Sequence, residues 1–354
     1  MQKKKLHKKV SSPLKTKPKK VKKYFRKNKE KKNPELEPGT STSKPTSPRN
    51  PHFKRFLDYE QVRIYLNSLL QAYPNNLEME IIGSSKAGRP IFLMLAARHV
   101  DLPRKNAVFI EAGSNGEDVM SVASALYILN YLCAHASSST TLLVMDVYVL
   151  PLANPDDYEL TLYGEKNMMN LARSFPFRLA HYNADDIGIE NYIEVNHKWK
   201  ENLVIQNYEK LALIKGIADY QKNIKLFISL QEEGEKIVYP FGTKLEPYDN
   251  CALSYVAKIG KLGSQIDFHV GTIFQQCGLT CGTVVDFLRL FSTYLKFTYI
   301  IHMNDKKIGQ VFRRVPYLAE NVLCVVTLMA REVDNYYKSQ VFYPEYAKET
   351  SLIK

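Results

Sequence analysis

The residues with chemistry to offer stand first in the stretch FIEAGSNGEDVMSVASALYIL, residues 109–129. Apolar strand residues run into Asn115, Glu117 and Asp118. Val119, Val122, Ala123, Leu126 and Tyr127 then fall on one face of a helix-like run. A polar tip between a buried strand and a helix is where α/β proteins place ligand sites. An amide and two carboxylates there are oxygen donors, too few alone for Ca²⁺, which takes about 6–8 oxygens. Cys277 and Cys281, spaced C-x3-C, have metal-ligand residue types. No second Cys or His pair stands nearby to complete a tetrahedral zinc set.

The elements that must hold these residues can be traced along the chain. DYEQVRIYLNSLLQAYP carries Val62, Tyr65, Leu66, Leu69 and Leu70 at helical spacing, with Pro74 beyond its end. LEMEIIGSSKAGRPIFLMLAA predicts two strands joined by a glycine-containing turn. NAVFIEAG is an apolar strand, residues 119–135 a helix, and TLLVMDVYVLPLAN another strand ended by Asn154-Pro155. Residues 160–200 show little periodicity and predict long loops. A helix is expected around 203–221, then the strand IKLFISLQ, helices at 250–265 and 282–294, strands at FTYIIHM and QVFRR, and a closing helix in AENVLCVVTLMAREVDNYY. Alternating strands and helices predict a single α/β domain with a mixed, mostly buried sheet and helices on both faces. The expected organisation is a Lys-rich disordered tail at 1–52, the folded domain at 53–340 and a C-terminal tail at 341–354.

Charge divides the chain in the same way. The net charge is +13, yet residues 1–50 hold 18 Lys and Arg against 3 Glu, and the remaining 304 residues hold 31 basic and 33 acidic side chains. A Lys-, Pro- and Ser-rich tail of this kind cannot bury enough apolar surface to fold alone. Its basic residues 3–32 suit nucleic acid or an import receptor, with salt-dependent binding. A solvated tail without a partner is the alternative. The tail has no apolar signal segment, and no run reaches the ~18 apolar residues of a membrane helix. Five cysteines, Cys133, Cys251, Cys277, Cys281 and Cys324, leave at least one unpaired. Free thiols in a reducing compartment are expected. An intracellular, nuclear location follows, or an extracellular one if the start codon is misassigned.

Several blocks, in order over roughly residues 55–335, resemble the zinc metallocarboxypeptidases of the carboxypeptidase A/B type. YLNSLLQAYPNNLEMEIIGSSKAGRP resembles the family's opening helix, its Tyr-Pro and its Ile-Gly-x-Ser-x-x-Gly-Arg turn. VYVLPLANPDDYELT resembles its Pro-x-x-Asn-Pro-Asp-Gly-Tyr block, with Asp157 in place of the glycine. LARSFPF resembles its Asn-Arg-Asn-Phe-Pro segment, LFISLQEEGEKIVYPFG the strand of its third metal ligand with the following Tyr-Pro-x-Gly, and FTYIIHMND the strand of its catalytic glutamate. The resemblance implies a carboxypeptidase-like fold, a zinc site and removal of C-terminal residues.

The same resemblance places unsuitable residues at the implied site. Asn115 and Asp118 stand where the family has His-x-x-Glu, and Gln231 stands where it has its third ligand, a His. No zinc or other cofactor is therefore expected. His302 replaces the catalytic Glu and Phe274 the mobile Tyr. Glu165 takes the place of the oxyanion-stabilising Arg, and Glu117 that of the Arg beside the metal-binding Glu. Arg173 matches the Arg that clamps a terminal carboxylate, although its Asn partner has become Ala172. A structural ion pair from Arg173 to Asp305 or another acidic side chain is the alternative. Glu117, Asp118, Glu165, Glu232, Glu233 and Glu235 could make the cleft acidic and favour a basic peptide or protein. Three readings result: an inactive relative acting as a peptide- or protein-binding module, an active metallocarboxypeptidase with an altered site, and a basic tail that carries the main activity.

Overall fold

A computed structural model describes residues 55–165, 171–175, 207–243, 250–292, 294–304 and 311–342. The Lys-rich tail, much of the 160–200 segment, Asp305 and residues 343–354 of the C-terminal tail lie outside them.

Helix α1 (Tyr59–Ala72) starts at a capping box in which the Asp58 carboxylate accepts the Gln61 N–H and the Gln61 side chain accepts the Asp58 N–H. It buries Val62, Leu66 and Leu69. Strands β1 (Leu77–Ser84) and β2 (Pro90–Ala96) pair antiparallel around a turn closed by Ser85 and Arg89. Gly88 takes a positive φ of 82° there. Strand β3 (Ala107–Ala112) is buried at every position and leads into α2 (Val119–Ala134). Helix α2 is apolar on all sides because it lies between the sheet and the long closing helix.

The sheet has eight strands in the order β1-β2-β4-β3-β5-β8-β6-β7. Strands β4 (Asp146–Leu150), β3, β5 (Ile224–Gln231) and β8 (Phe297–Asn304) run parallel, so their C-terminal ends share one edge. Strand β6 (Gly234–Tyr239) is antiparallel to β8 and parallel to β7 (His269–Thr272). The chain leaves β3 toward β4 on one side and later adds β5 on the other. That reversal opens a crevice at the strand ends.

Side chains alternate across the sheet, as strand geometry requires. Val108 and Ile110 face the core formed with α1, α2, α6 (Asn250–Lys261) and α9 (Val315–Phe342). Phe109 faces a second core formed with α5 (Tyr208–Tyr220) and α8 (Val284–Phe291). The mixed sheet and two-sided helical cover match the expected class. No helix among the described residues is long and apolar enough to cross a membrane.

Four local expectations are corrected. Thr140–Val144 is a short helix, α3, capped by the Ser139 hydroxyl, so the fourth strand begins only at Asp146. Helix α4 (Pro155–Leu162) occupies a stretch read as strand end and loop. The Asn154 side chain caps it and Pro155 fills the first turn, where a missing N–H costs no hydrogen bond. In QVFRR, Phe312–Arg314 form a 3₁₀ turn leading into α9 instead of a strand. Strands β6 and β7 were not expected; both are short, and pairing with β8 or with each other forms them.

Candidate functional site

The polar tip closes the crevice beside β3. Gly113 has φ +68°, and a Cβ at Gly116 would lie 2.5 Å from the Asp157 backbone, so both positions demand glycine. Between and after them, Asn115 Nδ2 donates to Asp118 Oδ1 at 3.3 Å, and the Asp118 N–H bonds the Asn115 carbonyl. Asp118 is the N-cap of α2, yet its side chain makes no capping bond. Burial, then the nearby Glu232 carboxylate, hold the Asp118 carboxyl well above the usual range. Glu117 points outward and is exposed.

Beneath the tip lies Glu111, fully buried at the end of β3. It accepts a hydrogen bond from the Ser114 hydroxyl and faces Ser229 of β5 across the ladder. Burial raises its pKa, opposed by the Ser114 and Ser229 hydroxyls. Gln231, at the end of β5, donates from Nε2 to Ser229 Oγ at 3.2 Å. Its register partner on β8 is His302.

His302 is 6% exposed, and its Nδ1 lies 2.7 Å from the Glu232 carbonyl oxygen. A carbonyl only accepts, so Nδ1 carries the proton. Burial pushes the imidazole pKa down to about 4, with Lys236 and Arg173 adding to the effect. His302 is therefore neutral at neutral pH, with its proton on Nδ1. Nitrogen-edited NMR is expected to show this tautomer down to about pH 5. A cationic ring at pH 6.5 would show that burial does not lower the His302 pKa.

Around this centre the other predicted residues divide. Arg173 ends the 3₁₀ turn Leu171–Arg173 and is exposed, and its charge reaches His302 and Cys277. Its expected partner Asp305 lies outside the described residues. Phe274, half-buried in the short helix α7 (Ile273–Cys277), donates its N–H to the Phe241 carbonyl at 3.0 Å. Glu165 is exposed beyond α4 and bonds Leu160 through its backbone. Asn115, Asp118, Gln231 and His302 thus gather around Glu232, while Glu117 and Glu165 remain on the surface. The acidic character is graded, because Lys236 and Arg173 stand on the His302 side. Among the described residues, no cysteine forms a disulfide.

Sequence reasoning missed Glu111 and the bonding role of Glu232. A single charged residue inside the otherwise apolar strand FIEAG was the available signal for Glu111. Among the described residues, no group of three or more His, Cys, Asp or Glu converges so as to hold a metal ion. The side chains of Asn115, Asp118 and Gln231 are instead bonded within the protein.

Comparison with known proteins gives this site a context. Residues 62–316 match the family model described as zinc carboxypeptidase. Bovine (Bos taurus) carboxypeptidase B2 is 22% identical over 285 residues, covering 73% of this chain and 66% of the relative. Human (Homo sapiens) carboxypeptidase A1 is 22% identical over 310 residues, covering 78% and 70%. The chain thus spans about two thirds of the length of these relatives. Among solved structures, bovine thrombin-activatable fibrinolysis inhibitor in complex with tick carboxypeptidase inhibitor superposes with a TM-score of 0.67 at 19% identity. That match covers 79% of this chain and 97% of the other, and shows a shared fold.

Proposed function

This chain belongs to the zinc carboxypeptidase family, and we propose that it is a member without peptidase activity that binds a peptide or protein at the C-terminal edge of its sheet. The observation that carries this reading is the donor set Asn115, Asp118 and Gln231. Zinc is held by imidazole nitrogen, thiolate or carboxylate. Two of these three side chains are amides, and the third is a buried carboxyl held toward its neutral form. Such a set does not fit zinc. His302, neutral and tied to the Glu232 carbonyl, would then have no metal-activated water to deprotonate.

Binding has its own support. Arg173 presents an exposed guanidinium at the rim, suited to a bidentate bond with a carboxylate. The exposed Glu117 and Glu233 flank the loop and suit a basic partner.

Metal analysis by mass spectrometry, on protein purified without chelators or metal affinity, tests the reading alongside zinc calorimetry and a peptide-release assay. The expected result is far less than one equivalent of metal, no micromolar zinc binding and no release of C-terminal residues. One tightly bound equivalent, lost in Asp118→Ala, would overturn it and favour an active enzyme with an altered site.

A further inference from the structure

We propose that Glu232 is the positioning residue that holds the cleft together in place of a metal, joining β5, α2 and β8 through bonds from one residue. This rests on the metal-free reading above. The site needs such a tie because its polar loop, residues 113–118, joins β3 to a helix whose first N–H groups have no intrahelical acceptors. The N-cap residue Asp118 leaves this need unmet through its side chain. Glu232 meets it from another element: its Oε1 accepts the Met120 N–H, in the first turn of α2, at 2.6 Å. A carboxylate in that position also complements the positive end of the helix dipole.

The same residue reaches the third element through its backbone. The Glu232 carbonyl accepts from His302 Nδ1 at 2.7 Å, which fixes the end of β8 against the end of β5. The backbone just beyond is turned sharply. Glu233 has φ 68°, the only positive-φ residue other than glycine among the described residues, and Gly234 has φ 137°. A non-glycine residue there is uncommon, and surrounding bonds must hold it. The turn carries the chain from β5 across β8 to β6 and leaves Glu232 only 7% exposed. The side chain therefore faces α2 and the carbonyl faces His302.

Three consequences follow for the cleft. The loop bearing Asn115 and Asp118 keeps its shape through protein bonds alone. Gln231, next in sequence, is held at the end of β5 where it meets Ser229. His302 is locked in one tautomer and serves as a strut.

Hydrogen–deuterium exchange on the full chain tests the tie, comparing wild type, Glu232→Ala and Glu232→Gln, each with EDTA and with added zinc. In Glu232→Ala, the Met120 amide and residues 113–118 should exchange about tenfold faster or more, while the β3–β5 ladder is unchanged. Glu232→Gln keeps an acceptor without the charge, so its increase should be smaller. It also supplies the readout if the alanine variant fails to fold. Wild-type exchange at Met120 in both variants would overturn the inference, as would uniform acceleration across the sheet. Acceleration of wild-type exchange by EDTA would instead overturn the metal-free reading.

Discussion

Gly242→Ala is expected to destabilise the protein by about 3 kcal/mol or more, beyond the usual cost of overpacking. A Cβ built there would lie 1.8 Å from the Thr280 carbonyl oxygen, and backbone cannot rotate away as a side chain can. Gly242 is also held on both sides. Its carbonyl accepts the Thr280 N–H at 2.8 Å, and its N–H donates to Asp286 Oδ2 at 3.1 Å. Relief of the clash must break one of these bonds or move the segment after β6. That segment includes Phe241, whose carbonyl anchors Phe274, so damage would spread to the cleft wall. Urea unfolding of the purified variant measures the loss. A change below 1 kcal/mol would show that the Gly242–Thr280 approach is looser than described.

The second large effect is expected at Asp286, fully buried in the first turn of α8. Burial raises its carboxyl pKa from 3.8 to about 7, against lowering by the Gly242 N–H and Thr283. Its Oδ1 atom has no hydrogen-bond partner among the described residues. Between these two values the folded state holds a proton that the unfolded chain has released. Stability is therefore full below about pH 4, falls as pH rises toward 7, and is flat above. At about 1.36 kcal/mol per unit, the shift allows a loss of up to about 4 kcal/mol from this group. Asp286→Asn imitates the protonated acid and cannot ionise. It should exceed wild type by about 2–4 kcal/mol at pH 8 and match it within about 1 kcal/mol at pH 4. Equal stabilities at both pH values would mean that water or a partner already solvates the carboxylate.

Both effects arise where segments distant in the sequence meet, and there the sequence was least informative. The long apolar runs were legible. NAVFIEAG, IKLFISLQ and FTYIIHM became β3, β5 and β8, and the helix at 119–135 became α2, because their patterns alone demand burial. Helix α4 was missed although Asn154-Pro155 carried both start signals; they were read as the end of a strand. Strands β6 and β7 have no such pattern; β6 depends on β8 for pairing and β7 on β6. The odd residues of the cleft were visible by their types, and family resemblance brought them to one place.

The sequence by itself determined the class of fold, the charge division between residues 1–50 and the rest, and the residue types at Asn115, Asp118 and Gln231. These follow from residue chemistry and periodicity, which are local. Only the tertiary structure decided how those residues are bonded, and which acids are buried. Asp118 and Glu232 turn inward while Glu117 and Glu165 stay exposed, although all four carry the same functional group. Their difference is set by desolvation and by hydrogen-bond partners brought from other strands, and neither is written in a residue's own neighbourhood.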